Sequence, residues 1–299
     1  MPRVIPAPAG PVPSCGVEEA VEAISGQGFD PRDAGSVDAA AAWLRRLGAN
    51  RDFLAAHIVA ELTAARDGEP SAYGAQVIML SRPAGNFFLR ANIWPSRAEH
   101  AYRASGGTSF AYDMPHDHNF DFLTLGYFGP GYESDYWEYD YAAVDGWAGE
   151  PVALDFKGRQ RLEPGMVMHY RAHRDIHSQL PPADLSVSIN VMHMASEQAW
   201  RDQYGFDTAH GAVAGILTDT GSEVALKLAC ALGCAEGLDL AERFGASHPS
   251  DRMRLAAYDA LADCGDSEAV WRRAEASGSR LVSRTARQRR AALEAQASA

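Results

Sequence analysis

A run of short strand patterns in the middle of the chain restricts the fold more than any other feature. Between about residues 75 and 193, apolar segments are broken repeatedly by Gly, Pro and Asp, and no helical pattern intervenes. Short strands joined by turns are typical of antiparallel sheets, so this region predicts an antiparallel sandwich or barrel. Residues 156–159 predict a tight hairpin turn. The predicted strands cover residues 76–80, 86–94, 120–128, 135–141, 152–156, 159–162, 166–171 and 185–193.

Helical patterns flank these strands on both sides. Ala- and Leu-rich segments predict N-terminal helices over residues 17–24, 36–47 and 51–66, the last ending at Asp67-Gly68. After residue 196 the helical pattern returns, and residues 251–276 resemble the paired helices of HEAT repeats. A plain helical cap explains the same pattern equally well. The C-terminal helices are predicted over residues 226–232, 238–244, 252–262, 268–274 and 281–294.

The changes of pattern along the chain predict four parts. The Pro-rich start, MPRVIPAPAGPVPSCG, has no continuous apolar segment of the kind that a secretory signal needs, so we expect a disordered leader there. The predicted parts are the leader over residues 1–16, N-terminal helices over 17–70, a β domain with the candidate site over 71–195, and a C-terminal helical region over 196–299.

Composition argues against several classes of partner. A net charge of −12 disfavours a general nucleic-acid binder, which needs a basic face to neutralise phosphates. The one basic stretch, residues 280–290 with five arginines, is interpreted as the solvated side of a last helix. No apolar run approaches the length of a membrane span, and four cysteines in a chain this long do not form a disulfide framework. We therefore expect a cytoplasmic protein with no nucleic-acid or membrane partner.

Three histidines form the strongest candidate site. His116 and His118 alternate along one predicted strand, so their imidazoles point the same way while Asp117 points away. His177 follows the turn Pro164-Gly165 by twelve residues, and a hairpin partner would bring it across to the pair. Three imidazole nitrogens that converge are suited to a divalent transition metal.

The segments around these histidines, MPHDHNFDFLTLGYFGPG and LEPGMVMHYRAHRDIHSQLPP, resemble the two motifs of the cupin superfamily. Cupins carry an HxH strand that ends in Gly, here Gly129, and then a PG turn with a His about eleven or twelve residues later. Residues 119–122 lack the Glu that usually supplies a fourth ligand. This departure makes the chain most similar to the three-His thiol dioxygenases (cysteine and cysteamine dioxygenases). NFFLRANIWP upstream and IHSQLPPADLSVSINVM downstream extend the resemblance over about residues 85–195.

The resemblance implies an α+β chain whose centre is an antiparallel, jelly-roll-like cupin barrel or sandwich. It further implies a non-haem Fe(II) dioxygenase that uses O₂ on a small polar substrate such as a thiol or amino-acid derivative, and cupins often form homodimers. Neutral imidazoles leave the full dipositive charge on the metal, which would favour an anionic substrate. Two other functions stay open. One is a redox-silent isomerase or lyase, and the other is a binding module whose C-terminal helices hold a protein or carrier partner.

Arg90 and Tyr170 are candidate catalytic residues. Arg90 shares one strand face with Asn92, opposite Leu89 and Ile93, and would clamp a substrate carboxylate if that face points inward. A solvent-facing arginine is the alternative. Tyr170 follows the PG turn and would place a phenol near the metal, with strand packing as the alternative.

Six further polar residues lie near the three histidines in sequence. Asp121, Asp175 and Gln179 are candidates for orienting the imidazoles through hydrogen bonds. A facial triad of two histidines and a carboxylate would require Asp121 to swing in as a ligand. His169 or His173 would replace His177 if the turn falls differently. His193 would line the same cavity or lie at an exposed strand end.

Overall fold

Eleven strands and nine helices are found in the computed structural model, which describes residues 1–66 and 76–297. The strands are β1 Arg3–Ile5, β2 Val77–Met79, β3 Phe87–Trp94, β4 Phe122–Phe128, β5 Glu133–Glu138, β6 Asp155–Arg161, β7 Val167–Tyr170, β8 Asp175–Gln179, β9 Ser186–His193, β10 Tyr204–Asp207 and β11 Ala212–Ile216. The helices are α1 Val17–Gln27, α2 Ala34–Ala49, α3 Phe53–Arg66, α4 His100–Ser105, α5 Gly221–Ala231, α6 Ala235–Ser247, α7 Asp251–Cys264, α8 Ser267–Glu275 and α9 Arg280–Ala297.

The chain divides into two units. The first contains Met1–Tyr141 and Leu154–Gln198, and the second contains Ala142–Ala153 and Ala199–Ala299. The predicted boundary after residue 195 lies close to the observed one after Gln198. However, residues 142–153 were expected in the β domain and instead belong to the helical unit. The predicted boundary after residue 70 and the predicted helix end at Asp67-Gly68 lie outside the described residues.

Two antiparallel sheets form the centre of the first unit. One has six strands in the order β1-β7-β4-β9-β3-β2, and the other has three in the order β6-β5-β8. Among the strands that the structure describes, the two sheets remain separate and do not join into a closed barrel. The sandwich alternative is therefore the one observed.

The outer face of the six-stranded sheet packs against the N-terminal helices. Leu44 and Leu47 of α2 belong to the same buried cluster as Leu125 of β4 and Val167 of β7. Helix α2 lies very close to this sheet, because a Cβ added at Gly48 would come within 2.8 Å of Leu125 Cδ2. A larger residue at position 48 would require either the Leu125 side chain or the helix to shift.

The inner face of the six-stranded sheet is aromatic and encloses the sandwich interior. Side chains alternate along a strand, so Met168 and Tyr170 point inward while Val167 points outward. Tyr170 on β7 meets Tyr136 on β5, with 2.7 Å between the two hydroxyl oxygens. The two sheets therefore face each other across a buried aromatic layer.

The second unit is mainly helical. Helices α5 to α9 share a buried cluster that includes Ala241, Ala257, Trp271 and Val282. A hairpin of β10 and β11 precedes them, in a region where only helices were predicted. The likeness to HEAT repeats stays a prediction. No helix among the described residues is both long and apolar enough to cross a bilayer.

Helix α4 lies in a region where no helix was expected, and residues 3–5 and 156–159 also differ from the sequence-based expectation. Residues 3–5 lie in the predicted leader, yet they form β1 and pair with β7, and Ile5 is buried in the core. The predicted hairpin at residues 156–159 is wrong, because β6 continues through it as one strand. Gly158, at φ +103°, pairs with Tyr136, and the next pair joins Trp137 to Phe156. Lys157 is thus the extra residue of a bulge, for which glycine supplies the left-handed backbone.

Candidate metal centre

Two backbone segments bring the three histidines together. His116 and His118 lie on the segment that leads into β4, and His177 lies in the middle of β8 rather than at the end of the preceding strand. The His116 amide donates to the His177 carbonyl at 3.0 Å, and the His177 amide donates to the His116 carbonyl at 2.9 Å. This antiparallel bridge aligns His116 and His177 as cross-strand neighbours.

The three imidazoles converge as predicted. One ring nitrogen from each of His116, His118 and His177 can be chosen so that all three atoms lie within 4.8 Å of one another. The Nε2 atoms of His118 and His177 are 2.9 Å apart. Two nitrogens bound to one ion at about 2.0–2.1 Å and roughly at right angles would lie about 2.9 Å apart. The spacing therefore suits a shared cation.

Burial keeps these imidazoles neutral. The relative exposures of His116 and His177 are 7% and 2%. Burial lowers the pKa of His116, although its hydrogen bond to the Met114 carbonyl opposes this shift. The pKa values of His118 and His177 are lowered well below the ordinary value, first by burial and then by the neighbouring imidazoles. A neutral imidazole has a free lone pair and is the form that binds metals.

The second ring nitrogens of the three imidazoles differ in their hydrogen bonds. His116 Nδ1 donates to the Met114 carbonyl oxygen at 2.7 Å, which leaves Nε2 as its ligand atom. The Nδ1 atoms of His118 and His177 are buried and have no hydrogen-bond partner among the described residues. Buried polar atoms are normally satisfied, so these two nitrogens are an exception that the described residues do not explain.

Residues 116–118, the ligand segment, are fixed by contacts of Asp117, whose side chain points away from the two imidazoles. Asp117 is fully buried, and its Oδ2 accepts a hydrogen bond from the Tyr139 hydroxyl at 2.5 Å. His173 is on this side as well, with its Nδ1 3.9 Å from Asp117 Oδ2 and its ring 4.1 Å from that of Tyr141. Its amide donates to the His118 carbonyl at 2.8 Å. His173 therefore supports the ligand segment and is not part of the three-histidine group.

Three other candidates lie away from the group, toward the outer face of the six-stranded sheet. His169 Nε2 lies 3.1 Å from Asp121 Oδ1, so these two residues pair with each other. The His193 ring packs edge-on against Phe29, with ring centres 5.9 Å apart. Strand alternation explains both placements, because Tyr170 and Met192 take the inward positions next to His169 and His193. Asp121, His169 and His193 are thus neither ligands nor direct partners of the imidazoles.

Asp175 forms ion pairs instead of orienting an imidazole. Its Oδ1 is 2.6 Å from Arg171 Nη2 and 3.3 Å from the N-terminal nitrogen of Met1. The Arg171 amide and Nε also donate to Asp175 Oδ2, at 2.8 and 2.9 Å. The predicted orienting role is therefore not observed.

Tyr170 lies beside the group, as predicted. Its ring centre is 4.9 Å from that of His177, and its other neighbour, Phe122, is stacked on it at 4.4 Å. Burial, followed by the charges of nearby tyrosines, raises the pKa of Tyr170 well above the ordinary value. The phenol therefore stays protonated and can donate a hydrogen bond. Its hydroxyl partner, Tyr136, is not among the candidate site residues that the sequence indicated.

Arg90 points into the sandwich interior. On β3 it is paired with Asn190 of β9, which is paired in turn with Thr124 of β4, and all three share the inward face. Its Nε is buried without a hydrogen-bond partner, and no carboxylate pairs with Arg90 in the part of the chain that the structure describes. Burial lowers its pKa, and its positive charge contributes to the lowered pKa of His118. An unpaired buried guanidinium is costly unless it meets an anion.

Comparisons with known proteins do not assign a family. No protein-family model and no curated protein matches the chain. Solved structures that are similar to part of it include the following two. Hydroquinone 1,2-dioxygenase PnpCD, in complex with Cd²⁺ and 4-hydroxybenzonitrile, is 10% identical, with 45% of this chain and 71% of that chain covered and a TM-score of 0.25. The DMSP lyase DddQ from Ruegeria pomeroyi is 14% identical, with 65% and 79% covered and a TM-score of 0.26. Likenesses this low carry no argument about activity.

Proposed function

We propose that the chain is a mononuclear metalloenzyme in which His116, His118 and His177 hold one Fe(II) ion that uses O₂ to oxidise a small anionic substrate. The observation that supports this most strongly is the convergence of three imidazoles, two of them buried and that of His118 half-buried, with one ring nitrogen of each within 4.8 Å of the others. Among the described residues, no Asp or Glu belongs to the group. Three uncharged ligands leave the whole charge of a divalent ion available to a substrate and to O₂.

The charge of the interior favours an anion. Arg90 is half-buried on the inner face, no carboxylate among the described residues pairs with it, and it is close enough to influence His118. A guanidinium presents its donors in a planar fork that matches a carboxylate. We infer that Arg90 binds the substrate's carboxylate and directs the other end of the molecule to the three histidines.

A bound Fe(II) would supply the open coordination positions and electrons that O₂ chemistry needs. The chain's own side chains would orient the substrate and exclude water. Tyr170, protonated and next to His177, is placed to donate a hydrogen bond to a reacting oxygen or sulfur. With a thiolate substrate, both atoms of O₂ would be transferred to sulfur to give a sulfinate, so no external reductant is consumed.

A second candidate function uses the same site without O₂. Three imidazoles also bind Zn(II), which can act as a Lewis acid, and the protonated phenol of Tyr170 would donate a hydrogen bond to the substrate. This arrangement supports an isomerase or lyase that acts on the same anionic substrates. Turnover under strictly anaerobic conditions distinguishes the two functions.

The test combines metal content with oxygen consumption. Protein purified without chelators is loaded anaerobically with Fe(II), and O₂ uptake is measured with a panel of small thiols and amino-acid derivatives. We expect one iron per chain and substrate-dependent uptake, both lost in His177→Ala but retained in His210→Ala, which removes an exposed histidine of the second unit. Arg90→Met should keep the iron and raise KM for carboxylate substrates by at least about tenfold, since a charged hydrogen bond is lost. Stoichiometric iron without uptake across the panel would exclude the oxygenase.

A further inference from the structure

Gln179 is a buried polar side chain near the three histidines for which the metal site gives no role. It lies two residues after His177 on β8, so both side chains project from the same face, about 6.6 Å apart along the strand. Its relative exposure is 4%, and its Oε1 is buried with no hydrogen-bond partner in the part of the chain described. The carboxamide oxygen in this position loses its hydrogen bonds to water, and no described residue replaces them.

The surroundings of Gln179 show that its side chain belongs to the sandwich interior. On the neighbouring strand it pairs with Ser134, which is also fully buried, just as His177 pairs with Tyr136. On its other side the backbone of Gln179 bridges to Tyr112. Tyr112 packs near Trp94 of β3, the strand that also carries Arg90. The carboxamide thus lies on the sheet that faces Arg90, across an interior about 10 Å wide.

Gln179 and Arg90 are suited to bind the two ends of one ligand. Within the described ranges, Arg90 is a half-buried cation with no counter-ion, and the buried Gln179 Oε1 is an uncharged acceptor with no donor. We propose that the Gln179 carboxamide accepts a hydrogen bond from the substrate, so that the site selects small carboxylates that also carry an amino, hydroxyl or amide N–H group. This inference rests on the proposed function, because it assigns the second polar contact of the same substrate.

Arg90 and Gln179 together would distinguish plain carboxylates from carboxylates that also carry a hydrogen-bond donor. A plain carboxylate could satisfy Arg90 but would leave the Gln179 oxygen desolvated and unpaired, whereas a substrate with a donor satisfies both groups. Because the acceptor is a neutral amide, it accepts from an uncharged hydroxyl as well as from an ammonium group. A carboxylate at position 179 would instead favour the ammonium.

The experiment measures binding rather than turnover. Zn(II)-loaded protein, in which no redox step can occur, is titrated calorimetrically with propionate, 3-hydroxypropionate and β-alanine. The wild type is expected to bind the two donor-bearing acids about tenfold more tightly than propionate, the difference that one hydrogen bond provides. Gln179→Leu and the longer Gln179→Met should bring all three affinities within about twofold. Gln27→Leu, an exposed glutamine of α1, should leave the preference unchanged.

The outcomes separate this inference from the proposed function. Zinc content is measured on the same samples, and retention of one zinc per chain in both Gln179 variants shows that the site is intact. If the amino or hydroxyl group of the ligand instead coordinated the zinc, the tighter binding of the donor-bearing acids would persist in both Gln179 variants. A preference that persists in both, or its absence from the wild type, would overturn the role of Gln179. Absence of stoichiometric zinc in the wild type would instead count against the metal site.

Discussion

Asp117 lies between two proposed ligands and is buried on the opposite side of the backbone. The side chains of His116 and His118 point toward the proposed metal, whereas that of Asp117 points away from it. The hydrogen bond between Asp117 and Tyr139 therefore restrains the segment on the side opposite the metal. The amide of His173 restrains the same segment at the His118 carbonyl. The direction of the two imidazoles therefore depends on residues that do not contact the metal.

Tyr139→Phe tests this support at the scale of a single residue. The change removes the donor to a fully buried carboxylate, which should lower the free energy of unfolding by about 1–3 kcal/mol. It should also weaken Zn(II) affinity and alter the visible absorption of the Co(II)-loaded protein, because the ligand segment is less well fixed. Tyr102→Phe, which removes a hydroxyl that pairs with Arg97, is the matched control. Unchanged zinc affinity and an unchanged Co(II) spectrum would contradict a positioning role.

At the scale of elements, the sequence patterns of β3, β4, β7 and β9 were sufficient to predict those strands, whereas the direction of Arg90 stayed open between the interior and solvent until the structure placed it inward. The three-residue β1 was not predictable, because it pairs with the free edge of β7 and local sequence says little about such pairing. Gly158 is compatible with either a hairpin turn or a β-bulge, and only the pairing with the neighbouring strand distinguishes the two. The hairpin prediction was therefore wrong. Likewise, spacing predicted His177 as a ligand, but β8 as a separate strand became evident only from its pairing with β5.

An ion-pair cluster at the end of β5 gives a pH-dependent prediction for these elements. Burial would raise the pKa of Glu138, but hydrogen bonds from the N-terminal ammonium, Arg174 and Arg171 lower it to about 2, compared with an ordinary value of 4.5. Because the folded-state pKa is the lower one, the ionised carboxylate stabilises the fold fully above about pH 4.5. This stabilisation is lost progressively as the pH falls toward 2.

Glu138→Gln should therefore unfold at lower urea concentration than the wild type at pH 7, and the difference should shrink between pH 4.5 and 2. Equilibrium urea unfolding across this range checks the expectation. Glu133→Gln, which removes an exposed partner of Arg161, is the control and should have a small effect at every pH. A Glu138→Gln difference that stays constant from pH 7 to 2.5 would contradict the assigned role of the ionised carboxylate.

At the scale of the whole molecule, all three proposed ligands lie in one unit. His116, His118 and His177 fall within Met1–Tyr141 and Leu154–Gln198, whereas the helices of the second unit contribute no ligand to the group. A ligand that binds only the folded state stabilises the part of the molecule that holds it. Metal binding is therefore expected to act on the stability of the first unit.

Calorimetric melting with and without a chelator measures this effect. At a free Zn(II) concentration 1,000 times the dissociation constant, the stabilisation should be about 4 kcal/mol, which appears as a higher Tm for the transition of the first unit. EDTA should reverse the shift, and His177→Ala should show none. An equal zinc-induced shift in His177→Ala would mean that the metal binds elsewhere.

X-ray absorption of the Fe(II)-loaded protein measures whether three imidazoles from two backbone segments bind one ion. We expect one iron per chain with imidazole scattering from three rings at bond lengths near 2.1 Å, typical of metal–imidazole bonds. Each of His116→Ala, His118→Ala and His177→Ala should remove the bound iron. Iron that still binds stoichiometrically to all three variants, or a wild-type protein with no iron above background, would contradict it.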